Sequence, residues 1–191
     1  ALQAILKPSI GILTNIGGAH QENFFSLQEK CYEKLTLFKD CDVVIYDADN
    51  EFIANCVQKS MLPAREIAWS KRDAERPLYI RRIEKFDEYT HITYTYLGME
   101  NSYKLPYIDD ASIENSLHCL AACLYLMLPS EVITERMAHL EPVAMRLEVK
   151  EGKRGCLLIN DSYNSDLASL DIALDFLYRR SLSKGLKRTL I

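Results

Sequence analysis

The feature that most constrains this chain is an alternation, across its first seventy residues, of short apolar runs with helix-length amphipathic segments. Ile10-Gly-Ile-Leu-Thr14 is apolar and bounded by Pro8 and by Gly17-Gly18, so it reads as a buried strand. Ser26 followed three residues later by Glu29 matches the capping-box pattern and opens a helix running to about Lys39. Asp42-Val-Val-Ile-Tyr46 reads as a second buried strand, Glu51 to Lys59 as a second helix and Glu66 to Ser70 as a third strand. Buried strands joined through helices pair in parallel, because a parallel connection needs a long crossover. The alternation therefore predicts an α/β fold with a partial, doubly wound, mostly parallel sheet.

The pattern then changes. Leu78 to Phe86 and Tyr89 to Leu97 are rich in β-branched and aromatic residues around Asp87-Glu88, which predicts an antiparallel hairpin. Ser112 to Leu128 reads as a helix stopped by Pro129, and Ser130 as the cap of another helix ending near His139. Arg146 to Lys150 and Cys156 to Asn160 read as a second hairpin, and Ser165 to Tyr178 as a final helix. The expected domain junction lies around Glu141 to Ala144.

Bulk properties exclude several classes. The 191 residues are 48% hydrophobic and 26% charged, with a net charge of -4, which is globular composition without the cationic excess that nucleic-acid binding requires. No apolar run approaches the roughly 20 residues of a membrane span. The six cysteines, at 31, 41, 56, 119, 123 and 156, form no CxxC pair and no zinc spacing, so buried free thiols in a reducing cytoplasm are expected. The opening Ala-Leu-Gln-Ala has neither a charged leader nor an initiator Met, as expected of a piece of a longer protein.

Chemistry is expected where Thr14-Asn15-Ile-Gly-Gly-Ala-His20 leaves the first strand, since ligand sites in open α/β sheets gather at the carboxyl ends of strands. His20 can offer an imidazole nitrogen to a divalent ion or a phosphate, although a loop histidine also serves as an ordinary surface hydrogen-bonding group. Lys34 lies fourteen residues after His20 in the following helix, among Cys31, Leu35, Leu37 and Phe38. A lysine there can snorkel outward; partial burial would instead leave some of it neutral, and a neutral amine can add carbon dioxide to form a carbamate, an anionic ligand for magnesium.

The run Ile10 to Leu27, followed by Glu33-Lys34, resembles the central domain of the Mur ligases, within them the branch that adds D-alanyl-D-alanine. The family pattern is a strand ending in Thr-Asn, a His five residues after the Asn, and a helix bearing a lysine that becomes carbamylated. Asn15, His20 and Lys34 fall on those positions. The resemblance implies His20 and carbamylated Lys34 as magnesium ligands beside the γ-phosphate, with Asn15 among the catalytic residues. Met145-Arg146-Leu-Glu-Val149 and Asn160-Asp161-Ser-Tyr-Asn164 resemble two further family stretches, implying nucleotide contacts, chiefly at the ribose, for Arg146 and Asp161. Asn164 is a candidate for the nucleotide pocket, or the N-cap of the final helix. Asn115 is the retained residue of a His-Asn-x-x-Asn stretch near adenine, here Ala111-Ser-Ile-Glu-Asn115.

The resemblance implies that residues 1–142 form the later part of a central ATP-binding domain and 143–191 the beginning of a Rossmann-like C-terminal domain. It further implies ATP and Mg2+ as cofactors, and UDP-N-acetylmuramoyl-tripeptide and D-alanyl-D-alanine as substrates. The implied route is an acyl phosphate, in cytoplasmic peptidoglycan synthesis. No Gly-x-x-Gly-Lys-Thr occurs in these residues, so the isolated chain is expected to be inactive. The pattern is also reminiscent of chains that continue into an alanine racemase. A sister ligase such as folylpolyglutamate synthase, and a degenerate module kept for binding, are the alternatives.

Overall fold

Strands β1 (Ile10–Leu13), β2 (Val43–Asp47) and β3 (Arg65–Ser70) lie side by side and parallel, Leu13 level with Tyr46 and Asp47 level with Trp69. They belong to a computed structural model that describes residues 2–17, 24–141, 148–162, 167–185 and 187. Every residue of β2 is buried, because the sheet is covered on both faces and a strand between two covers has no polar side to offer.

On one face, α2 (Leu27–Leu35), a 3-10 turn at Thr36–Phe38, and α3 (Glu51–Ser60) enclose Leu13, Cys31, Leu35, Phe38, Val44, Tyr46, Ile53 and Val57. The two crossover helices share this face, as two successive right-handed connections stepping the same way require. Ser26 caps α2 as expected, the Glu29 N–H donating to Ser26 Oγ at 3.1 Å, while the Glu29 carboxylate accepts the N–H of Phe25, one residue before the cap, at 2.8 Å. The other face carries α4 (Asp110–Tyr125), which packs on β2 and β3, and α5 (Ser130–Ala138), which packs on residues 99–105; Ile113, Leu117, Leu120, Ile133 and Met137 share one core with Val43, Ile45, Ile67, Trp69, Tyr103 and Leu105.

β4 (Leu78–Lys85) continues in the direction of β3 and overlaps it by two pairs, Trp69 with Leu78 and Ser70 with Tyr79. So small an overlap explains why residues 71–77 suffice as a connection: the chain steps aside by one strand spacing instead of returning the length of the sheet. β4 thus runs past the carboxyl ends of β1–β3. It pairs antiparallel with β5 (Thr90–Tyr96), and β5 with β6 (Met99–Leu105). β6 makes a three-stranded ribbon of what the sequence presents as a hairpin. A further addition is the short helix α1 (Leu2–Leu6). Two boundaries are also corrected. Asp109 caps α4, its carboxylate accepting the Ser112 N–H at 2.7 Å, and that helix ends at Tyr125. The cap position of α5 is Pro129, so Ser130 is its first helical residue and makes no cap hydrogen bond.

The chain divides into two units, Ala1–His139 and Leu140–Ile191. Within the second, β7 (Glu148–Glu151) and β8 (Leu157–Asn160) form an antiparallel hairpin, followed by α6 (Leu167–Lys184), which runs beyond the Tyr178 expected from the sequence.

Candidate functional site

The carboxyl ends of β1, β2 and β3 form one edge of the sheet. Asn15 is exposed two residues beyond β1. The loop that carries it is tied to α2 by Lys30, which is 6% exposed and donates from Nζ to the Gly17 carbonyl at 2.7 Å. The same ammonium lies 5.9 Å from the centroid of the Phe24 ring. Lys34 stands one helical turn further on, on the same side of α2, and is exposed. Of the two alternatives for Lys34 the structure shows the outward one, and the buried lysine of this helix is Lys30, which finds a carbonyl in the strand-end loop. Lys34 remains within charge reach of Cys31. Burial pushes that thiol up to about 12, the neighbouring Cys56 thiol adds to the rise, and the Lys34 charge opposes it.

Asp47 ends β2 and is buried, which raises its carboxyl above the ordinary value; the Asp49 N–H, donating to it at 2.9 Å, pulls the other way. Asp49 accepts the Lys71 N–H at 2.7 Å and the Ser70 hydroxyl, which ties the β2 end to the β3 end. From α4, Glu114 turns toward the same corner. Burial raises its carboxyl first and the charge of Asp47 raises it further, while Lys71 acts against both. Asn115, the next residue, is exposed. The corner offers carboxylate and amide acceptors beside a lysine, a set suited to a ligand bearing amino or hydroxyl protons.

Between these groups and the core sits His118 of α4, 1% exposed. Trp69 donates its indole N–H to His118 Nδ1 at 3.2 Å, and the rings meet edge-on, with centroids 5.3 Å apart at 72°. Burial lowers the imidazole pKa to about 4, with the Thr14 backbone acting in the opposite sense.

His20, Arg146 and Asn164 lie outside the described residues, as do Tyr163 and Ala144. Asp161 belongs to the second unit, where it borders a groove of about 790 Å³ with Asn160, Leu158, Leu174 and Leu177. The sequence reading missed Lys30, Asp47, Glu114 and His118. The acidic run at the end of an apolar strand, Asp47-Ala-Asp49, was a usable signal for one of them. Among the described residues no three His, Cys, Asp or Glu side chains gather to hold a metal ion. The described residues therefore do not by themselves make a magnesium site, since the amine of Lys34 is a ligand only after carbamylation. No helix among the described residues is long and apolar enough to cross a membrane.

Residues 1–123 match the Mur ligase middle domain. The chain is 25% identical over 179 residues to the UDP-N-acetylmuramoyl-tripeptide–D-alanyl-D-alanine ligase of Bacillus subtilis (strain 168), covering 91% of this chain and 37% of that protein. Its fold is similar to that of MurF from Acinetobacter baumannii, with a TM-score of 0.79 and 19% identity over 93% of this chain and 39% of that one. MurF ligase from Thermotoga maritima, solved in complex with ADP, gives a TM-score of 0.74 and 18% identity over 93% and 42%. The chain thus spans well under half the length of these relatives. A mostly parallel sheet with helices on both faces, read together with a family match over most of the first unit, places this chain in the Mur ligase family.

Proposed function

We propose that this chain is part of an ATP-dependent ligase that joins D-alanyl-D-alanine to UDP-N-acetylmuramoyl-tripeptide through an acyl phosphate, in cytoplasmic peptidoglycan precursor synthesis. The observation that carries this reading is the β1 end, where Thr14-Asn15 emerges beside the helix that bears Lys34, within a chain similar over 91% of its length to a ligase of that name. ATP as the nucleotide is supported by the ADP held in the Thermotoga relative.

In this reading residues 1–142 are the later part of the central domain and 143–191 the beginning of the C-terminal domain. Asn15 orients the γ-phosphate end of the nucleotide at the strand edge. Asn115 meets the adenine, which also draws on the acceptor-rich corner of Asp47 and Glu114. Arg146 and Asp161 address the ribose, and Asn164 borders the nucleotide pocket. His20 and carbamylated Lys34 are the magnesium ligands that this chain contributes. When bound, magnesium supplies charge neutralisation during phosphoryl transfer. The isolated chain, lacking a Gly-x-x-Gly-Lys-Thr loop, is inactive alone.

The test is phosphate release by the full-length protein given Mg-ATP and UDP-N-acetylmuramoyl-tripeptide, with and without D-alanyl-D-alanine. Dipeptide-dependent release is expected. Release that responds to a different amine acceptor would reassign the protein to a sister ligase, and none from folded protein would leave a binding module.

A further inference from the structure

Among the described residues of the first unit, His118 Nε2 is the one buried side-chain nitrogen or oxygen without a hydrogen-bond partner. Its state follows from its neighbour. An indole N–H can only donate, so Nδ1 of His118 carries the lone pair that Trp69 Nε1 meets at 3.2 Å, and Nε2 carries the proton. Among the described residues the backbone of Thr14 is the group that favours protonation of the ring, and its carbonyl stands short of a bond of full geometry with Nε2. Strand register explains how one ring reaches both. Leu13 is level with Tyr46, and Asp47 with Trp69, so Thr14, Asp47 and Trp69 stand on one level across β1, β2 and β3. His118 therefore spans β2 and links the ends of its two neighbours.

We propose that His118 is a positioning residue for the Thr14-Asn15 strand end: held by Trp69, its Nε2 proton closes on the Thr14 carbonyl and fixes the peptide that presents Asn15 to the nucleotide. A buried donor one small shift from its acceptor is stabilised by completing the bond, and ligand at the strand ends supplies that shift. The catalytic part of this inference rests on the ligase reading above; the structural part does not.

Two substitutions separate the two nitrogens. His118→Asn keeps an acceptor near Nδ1 for Trp69 but cannot reach Thr14, whereas His118→Gln places an amide donor near Nε2. In the full-length protein, His118→Asn is expected to lower kcat about tenfold with the KM for ATP within about twofold, and His118→Gln to stay within about threefold of wild type. Equal, wild-type kcat in both variants overturns the proposal while leaving the ligase reading intact.

If wild-type protein shows no dipeptide-dependent turnover, the ligase reading fails and spectroscopy of the 191-residue chain decides the rest. Thr14-Asn15 is the one Thr-Asn pair in the sequence, so carbonyl-13C threonine with 15N asparagine gives a single Thr14-Asn15 signal. That signal is expected to move in His118→Asn and to hold in His118→Gln; no movement in either overturns the contact. In wild type, needing no variant, 15N-histidine spectra should show His118 protonated at Nε2. Protonation at Nδ1 refutes it.

Discussion

Two basic side chains one helical turn apart meet different fates on α2. Lys30 is drawn into the loop and spends its charge on the Gly17 carbonyl; Lys34 keeps its amine in solvent, available to carbon dioxide. Replacing Lys34 by Ala in the full-length protein should lower ligation at least about 100-fold, the scale of losing one charge-stabilising group. Short carboxylic acids should restore part of it. Unchanged turnover in steady-state assays would remove the carbamate from the mechanism. His118 makes a second prediction, about pH. Its folded pKa of about 4 lies below the ordinary 6.5, so the unfolded chain takes the proton first as pH falls. Its contribution is complete above pH 6.5 and is lost as pH drops toward 4, by about 3 kcal/mol. Asp47 and Glu114, with raised carboxyl pKa values, act in the opposite sense in an overlapping range. The measurement is therefore the difference in urea stability between wild type and His118→Leu at several pH values. A difference independent of pH would show that the imidazole is not the group responsible.

Elements differ in how plainly the sequence announces them. β1, β2 and β3 are apolar runs between turn residues, and burial on both faces makes such runs unavoidable. β6 is Met-Glu-Asn-Ser-Tyr-Lys-Leu, in which Tyr103 and Leu105 alone point into the core, so its pattern is too sparse to separate from a loop. The site follows the same rule. Asn15 and Lys34 sit in a recognisable spacing, but the partners of Lys30 and His118 are set by tertiary contacts that no local pattern encodes. Close packing makes one glycine testable. A Cβ on Gly11 would lie 2.6 Å from Phe38 Cγ, so Gly11→Ala should cost about 1–3 kcal/mol in urea denaturation, relieved by adding Phe38→Leu. The β5–β6 turn offers the opposite sign. Leu97 and Gly98 both have positive φ, 49° and 81°, the form of a two-residue hairpin turn that favours Asn first. Leu97→Asn should add about 0.5–1 kcal/mol, read as a higher Tm. No gain would mean that the exposed leucine has a stabilising contact of its own.

At the scale of the whole chain, the core is unevenly distributed. Among the described residues, the buried hydrophobic side chains of the second unit reduce to Phe176, while the first unit holds two extensive clusters. Amides of β7, β8 and α6 should accordingly exchange hydrogen faster than those of β2 and β3, by at least about tenfold, in mass-spectrometric exchange on the 191-residue chain. Equal protection would show that the hairpin and α6 are held by more than their own packing. Within the first unit the two-pair overlap of β3 with β4 has a mechanical meaning. A sheet sheared along that line has two rungs of backbone to resist it, fewer than any of its other seams, of which β1–β2 with four is the next shortest. What carries load across the joint is the pair of helices on that face: α4 packs on β2 and β3, α5 packs on β6, and the two helices pack on each other within one core cluster. The two helices act as a splint: loosening their contact with one another would part the strand ends from the ribbon beside them, with every rung of both halves still intact.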